Sequence, residues 1–214
     1  MYKMNLFSLE NYRHKDLFSD CCYPWESLKY LKNYARSLKG NLIDTSCFPN
    51  VYFVNAELIW IGADVVIEPG AYIQGPCFIG DRCQIRHGAY IRGDVVMGDD
   101  CTVGHVTEVK HSILLNGVTA SHFNYIGDSI LGNGVQLGAG AKCANLRFDQ
   151  KPVRVKWEGQ SFDTGLSKLG ALIADLAKVG CNCVLNPGTV LGRGALCFPC
   201  LQVQGTVLEN GKFT

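Results

Sequence analysis

No stretch of the 214-residue sequence approaches the length of a membrane-spanning helix, and the first ten residues, Met-Tyr-Lys-Met-Asn-Leu-Phe-Ser-Leu-Glu, reach charged groups before any sustained apolar run. A cytoplasmic protein with no membrane partner is therefore expected. An excess of one charge sign is also missing: 20 Lys and Arg face 19 Asp and Glu, a formal net charge of +1. Composition thus offers no basic face for nucleic acid or an acidic bilayer, and no nucleic-acid partner is expected. Of the 11 cysteines, Cys197-Phe-Pro-Cys200 has C-x-x-C spacing, but a structural zinc needs four ligands and there is no second matching pair. The odd count fits a reduced chain better than a disulfide framework. The first 50 residues contain neither a glycine-rich nucleotide loop nor room for a βαβ unit. What is present, 47% hydrophobic and 18% charged residues, describes a folded domain with appendages.

The dominant pattern is a six-residue beat of aliphatic residues: Ile61, Ile67, Ile73, Ile79, Ile85, Ile91, Met97, Val103 and Val109, returning at Ile173, Val179, Leu185, Leu191, Cys197 and Val203. Neither a helix of period 3.6 nor a lone strand of period 2 generates it, whereas stacked coils of short strands and turns do. A second inward position, four residues after each aliphatic, holds small residues, among them Ala71, Cys77, Cys83, Ala89, Cys101, Thr107 and Cys183. Cysteine in this register is a small apolar filler. Residues 1–50 fall outside the beat and read as a helical cap. Pro24 opens a pattern with Trp25, Leu28, Leu31, Ala35 and Leu38 on one face, Lys29, Lys32, Arg36 and Lys39 elsewhere, and Gly40 at the stop position. The expectation is that it covers an end of the solenoid at 51–214. The beat slips after Val109, which reads as a loop, and breaks at 146–170, an insertion read as a binding arm.

If three hexads close one coil, residues 18 apart stack one above another at roughly 4.7–4.9 Å. One face then carries Gly62, Gly80 and Gly98 after its aliphatics, and another carries Gln74, Arg92 and Lys110. Two stacked cations suit a phosphate between them. The alternative is a pair of solvated charges balanced by Glu108. His87 and His105 are also 18 apart, an arrangement open to a metal site or to simple turn imidazoles, with His122 beyond the slip and so outside their column.

Residues 108–145 contain Glu108-Val-Lys110, His122-Phe-Asn-Tyr125-Ile-Gly-Asp128, Gln136-Leu-Gly-Ala139-Gly and Asn145. These resemble the acetyltransferase domain of the bifunctional enzymes that acetylate glucosamine 1-phosphate and then uridylylate it. Asn145-Leu-Arg-Phe-Asp-Gln-Lys151 and Lys168-Leu-Gly-Ala-Leu-Ile are similar to the archaeal sugar-1-phosphate nucleotidylyltransferase branch. The resemblance implies an all-β fold, a left-handed parallel β-helix of hexapeptide repeats assembled as a homotrimer with active sites between subunits, to which the residue pattern adds the short N-terminal helical cap. It implies acetyl-CoA as co-substrate, no tightly bound metal, and N-acetylation of an amino-sugar 1-phosphate in nucleotide-sugar biosynthesis. Arg92, Lys110, Tyr125, Gln136 and Lys151 would bind the sugar phosphate. His122 would be the general base, Asn145 and Glu108 would orient the amine and the acetyl carbonyl, and Ala139 and Asp175 would lie on the cofactor side.

An amine attacks a thioester only as the free base and must shed a proton, which suits an imidazole, and the developing oxyanion needs donors already in place. No covalent enzyme intermediate is required. The sequence departs from the family pattern at Gln136, where Asn is usual, and at Asp175, where Ser or Gly is usual and a carboxylate would oppose the cofactor phosphates. No nucleotidyltransferase activity is expected. Two rival expectations are a non-catalytic sugar-phosphate or nucleotide-sugar binder, and a zinc hydratase resembling the γ-class carbonic anhydrases, for which Arg92-Gly-Asp94 and the stacked His87 and His105 are the features.

Overall fold

The computed structural model describes residues 4–38 and 44–214. The six-residue beat becomes a left-handed parallel β-helix of three eight-stranded sheets, each built from strands of two to four residues. The chain visits the sheets in rotation. Tyr52–Val54 opens the first, Ile59–Ile61 the second and Val66–Ile67 the third. Every aliphatic of the first run of the beat points inward: Ile73, Ile79, Ile85, Ile91, Met97, Val103 and Val109 are fully buried. The small positions interleave with them, and burial pushes the thiols of Cys77 and Cys143 up to about 12, so they pack as neutral filler.

The slip after Val109 is a shortened corner and not a loop. Val109 pairs with Ile126 and Met97 with Leu114, seventeen residues on in each case, so one residue has been removed between the first and second sheets. The corner of the preceding coil turns through Gly93 and Asp94, both at positive φ, whereas the next two corners turn through His111 (φ 44°) and Asp128 (φ 48°) alone. Ser112 and Ser129 support the tightened corners: the Ser112 hydroxyl donates to the Lys110 carbonyl at 2.8 Å and accepts from the Ser129 amide at 3.1 Å.

A second apolar core lies outside the coils. Phe78, Val96, Ile113, Ile130, Leu172 and Val190 project outward from the second sheet and are buried by the N-terminal region and the insertion. The expected helix spans Ser27–Ser37 after a 3-10 turn at Pro24–Glu26; the Glu26 carboxylate accepts from the Tyr23 amide at 3.0 Å as part of a capping box. Lys39 and Gly40 lie outside the described residues. The helix flanks the strands Cys77–Ile79, Val95–Met97 and Ser112–Leu114, so it covers the side of the solenoid and not its end. The partly buried Phe48 and Val51 pack against the first coil instead. The insertion contributes a hairpin, Arg154–Trp157 paired with Gln160–Asp163, whose Val155 is buried and whose Phe162 ring lies 5.1 Å from Tyr23 and 6.2 Å from Trp25. Its first residues, among them the exposed Phe148, border a surface cleft with Asn186, Pro187, Gln202 and Gln204 of the later coils.

The corner between the second and third sheets is held by a side-chain ladder. Asp81 accepts from the Ala63 amide, Asp99 from Asp81, Asn116 from Asp99, Asn133 from Asn116, and Asp175 from Asn133. The N-terminal segment runs antiparallel to the rise of the coils along this ladder. Arg13 pairs with Asp81 at 2.7 Å, Asn116 Nδ2 donates to the Asn11 carbonyl, Asn133 Nδ2 donates to the Ser8 carbonyl, and the Ser8 amide donates to Asp175. Among the described residues no helix is long and apolar enough to cross a membrane.

Candidate functional site

With the second sheet covered, the first sheet presents two neighbouring outward columns to solvent. One runs Tyr52, Tyr72, Tyr90, Glu108, Tyr125, Lys142 in register. The other, two residues further along each strand, runs Val54, Gln74, Arg92, Lys110, Gly127. The cations foreseen at Arg92 and Lys110 therefore stand on adjacent strands of one sheet. Arg92 Nη1 donates to Glu108 Oε1 at 2.7 Å, which raises the guanidinium further above its ordinary range and fixes its charge.

Lys110 is more enclosed. Its Nζ donates to Asp128 Oδ2 at 2.9 Å, and the Asn145 amide donates to the same oxygen. Tyr125 and Asn145 close over Gly127, where a Cβ would stand 2.7 Å from the Tyr125 hydroxyl and 2.8 Å from Asn145 Nδ2. A side chain at 127 would push these two groups outward from the position they take over the strand. Burial pushes the Tyr125 phenol upward, and the charge of Lys110 pulls against it. Five of the residues read from the sequence, Arg92, Glu108, Lys110, Tyr125 and Asn145, thus gather on and beside the middle strands of the first sheet. Asp128 is the member the sequence reading left without a role. The shortened corner places its buried carboxylate where Lys110 and Asn145 converge, and its position in the Gly127-Asp128 step was the available signal.

The remaining candidates lie elsewhere on this chain. The shortened coil brings His122 into register with His105, correcting the expectation that the slip would remove it from the histidine column. His122 stands exposed at the corner between the third and first sheets, and its ring makes no hydrogen bond or ion pair among the described residues. Below it, the His87 and His105 rings stack 5.8 Å apart at 15°, and Nδ1 of each approaches a backbone carbonyl of the coil beneath, Pro69 at 2.6 Å and His87 at 3.2 Å. Parallel rings with Nδ1 so committed do not converge on a common ion. Among the described residues no three His, Cys, Asp or Glu side chains group as metal ligands. Ala139 shares the His122 corner, one coil further on, and Cys181 follows it, with the Asn182 amide donating to the Ala139 carbonyl. Gln136 is exposed on the third sheet, and Lys151 is exposed in the insertion, its amide donating to Asp149 Oδ1 at 3.2 Å. Asp175 does not share a corner with Ala139. It is buried at the top of the ladder, accepting from Ser8 at 2.8 Å and Asn133 at 2.8 Å, with Arg193 Nη1 at 3.4 Å.

The chain is 34% identical over 189 residues to an uncharacterized acetyltransferase, YaiX, of Escherichia coli, covering 88% of this chain and 80% of that protein. It belongs to the left-handed β-helix acetyltransferase family. Within this family the GMPPB C-terminal domain model matches residues 73–159, the coils that contain the cluster. A bifunctional sugar-1-phosphate nucleotidylyltransferase/acetyltransferase of Sulfurisphaera tokodaii is 40% identical over 92 residues, 43% of this chain and 23% of that protein. The bifunctional protein GlmU of Methanococcus maripaludis is 36% identical over 104 residues, 49% and 25% of the two chains. This chain therefore spans about a quarter of the length of those bifunctional relatives. Among solved structures, the UDP-N-acetylglucosamine acyltransferase from Campylobacter jejuni superposes with a TM-score of 0.53 at 19% identity, over 75% of this chain and 68% of that one, which shows the shared fold.

Proposed function

We propose that this protein transfers an acetyl group from acetyl-CoA to the amine of an amino sugar carrying a phosphate at its anomeric carbon. The observation that carries this reading is the convergence of Lys110, Asp128, Asn145 and Tyr125 around Gly127, with Arg92 on the adjacent strand. A cation enclosed by polar partners and held at a glycine cradle is built for an anionic, hydroxyl-rich ligand, and a purely solvated surface needs none of it.

Arg92 and Lys110 hold the phosphate. Lys110 spends one of its three donors on Asp128 and keeps two for the ligand. Tyr125 and Asn145 take up the sugar. Asp128 orients Lys110 and Asn145 from beneath them, as a positioning residue. His122, with an uncommitted ring, removes the proton released as the amine attacks the thioester, and the Ala139 amide faces the developing oxyanion. His122 and Lys110 occupy opposite ends of the first sheet's width, so the complete site is formed with a neighbouring copy in a homotrimer. The acyl-CoA runs along the Ala139 corner toward the later coils, away from Asp175.

Incubation of the purified chain with acetyl-CoA and glucosamine 1-phosphate, with mass spectrometry of the sugar, tests the reading. A mass gain of one acetyl group, absent in Lys110→Ala, is expected. Binding of the sugar phosphate without transfer would favour the non-catalytic binder.

A further inference from the structure

Tyr52, Tyr72 and Tyr90 have no part in acetyl transfer to a sugar 1-phosphate, yet they stand in register on the strands that lead to the Arg92 and Lys110 cluster. We propose that Tyr72 and Tyr90, with Gln74 beside them, form a base-binding subsite, and that the acceptor is an amino sugar linked to a nucleoside diphosphate. The inference rests on the sugar-phosphate reading of the Arg92 and Lys110 cluster and specifies what lies beyond that phosphate.

Tyr52 and Tyr72 stack with centroids 6.5 Å apart at 27°, and Tyr90 meets Tyr72 edge-on at 5.2 Å. Tyr52 is 63% and Tyr90 39% exposed, and among the described residues none of the three hydroxyls makes a hydrogen bond. The corresponding outward column on the third sheet runs from Val66 through Gln84, Thr102, Thr119, Gln136 and Lys178 to Leu196 and Lys212, with no aromatic ring in it. On the second sheet the outward column is apolar, but the N-terminal region covers it. Among the outward strand columns of the described residues, tyrosines follow one another in register in the coils leading to the phosphate cluster, with Tyr72 half-buried between Tyr52 and Tyr90.

The ladder is also continuous with the cations. The Arg92 guanidinium lies 5.7 Å from the Tyr90 centroid, so the charge and the first ring form one surface. From the Lys110 strand to the Gln74 strand is two coil spacings, about 9–10 Å. A sugar 1-phosphate seated at Lys110 ends at the cations and leaves Tyr72 untouched. A second phosphate and a ribose extend the ligand in the direction of Arg92 and deliver a planar base to the tyrosines. Stacking on a phenol ring is sequence-tolerant, because every base has a π face, while the Gln74 amide supplies one acceptor and two donors able to read a base edge.

Calorimetry with glucosamine 1-phosphate, UDP-glucosamine, and the diphosphates UDP, GDP, ADP and dTDP tests the subsite on the intact chain. At least one nucleoside diphosphate should bind at least tenfold more tightly than glucosamine 1-phosphate. Tyr72→Ala should weaken that nucleotide by about five- to 150-fold, the range of a lost base stack, and leave glucosamine 1-phosphate within twofold. Tyr72→Leu, which keeps apolar cover on the strand, should lose nucleotide affinity equally, and Tyr90→Phe, which keeps the ring, should not. Equal affinities for the two ligand classes, or full nucleotide binding by well-folded Tyr72→Ala and Tyr72→Leu, would overturn the subsite while leaving the sugar-phosphate site standing. Failure of every ligand to bind would overturn both.

Discussion

Replacing Asp175 by Ser should destabilise the N-terminal region without improving cofactor binding. The carboxylate is buried, with Oδ2 accepting from the Ser8 amide at 2.8 Å and Oδ1 from the Asn133 amide at 2.8 Å and from Asn133 Nδ2 at 3.1 Å. Hydrogen bonds to a charged acceptor contribute about 1.5–3 kcal/mol each, and a serine hydroxyl is too short to reach both amides. Arg193, whose side chain is 32% exposed, can rehydrate when its partner is lost, so its pairing adds little. One amide deep in the ladder and one at the cap edge then give a loss of about 2–4 kcal/mol. For a chain of this size that lowers the melting temperature by about 5–15 °C. Hydrogen exchange should report the loss first at residues 5–13, which release as a unit when the top rung is cut. The calorimetric affinity for acetyl-CoA should be unchanged. An unaltered melt and exchange pattern, combined with tighter acetyl-CoA binding, would mean that the carboxylate faces the cofactor after all and that the ladder is incidental.

Other outcomes follow from the site and the cap. Arg92→Ala and Lys110→Ala should each weaken sugar-phosphate binding by about 1.5–3 kcal/mol with circular dichroism intact, and unchanged titrations for both would reduce the cluster to surface charge. His122→Ala should lower turnover by about 10²- to 10⁴-fold while sparing sugar-phosphate affinity, whereas an equal loss of both would make His122 a ligand contact. Light scattering at micromolar concentration should give a trimer, and a monomer would remove the shared site. His14, buried against Phe78, is held at about 4 from 6.5, first by burial and then by Arg13. The unfolded chain therefore binds the extra proton between those values, so stability is constant above about pH 6.5 and falls as pH drops toward 4, by about 3 kcal/mol. Urea titrations at pH 7 and 4.5 should differ by that amount, and His14→Phe should narrow the gap.

The solenoid was legible because its signal is positional: an aliphatic every sixth residue fits stacked coils of short strands and neither a helix nor a lone strand, while the left-handed β-helix followed from the resemblance. The register beyond Val109 was not, and the reason is local. Leu114 and Leu115 are adjacent and both buried, one in the solenoid core and the other in the outer core. The six-residue count selects Leu115, but the left-handed turn at His111 completes the corner one residue early and turns Leu114 inward. Counting eighteen from His105 then lands on Phe123, whereas the true partner is His122. The outer core was hidden for a related reason. Val96, Ile113 and Ile130 sit at outward positions that periodicity assigns to solvent, and only the packing of the N-terminal helix and the hairpin explains their apolarity.

The same displacement separates the part of the site that could be read from the part that could not. Arg92 and Lys110 lie before the slip, where eighteen-residue stacking is true, so their adjacency followed from counting. Asp128 lies after it. Its neighbour Gly127, and not Asp128 itself, registers with Lys110, and the carboxylate reaches Lys110 because the one-residue corner turns it back over the strand below. His111, the other one-residue corner, donates from Nε2 to the Leu28 carbonyl at 3.1 Å, so the turn that shapes the cluster is tied to the helix that covers the second sheet. The helix thus meets the coil that carries Lys110 in two ways, through this imidazole and through the outer core, where Leu28 and Leu31 share one buried cluster with Ile113 and Ile130.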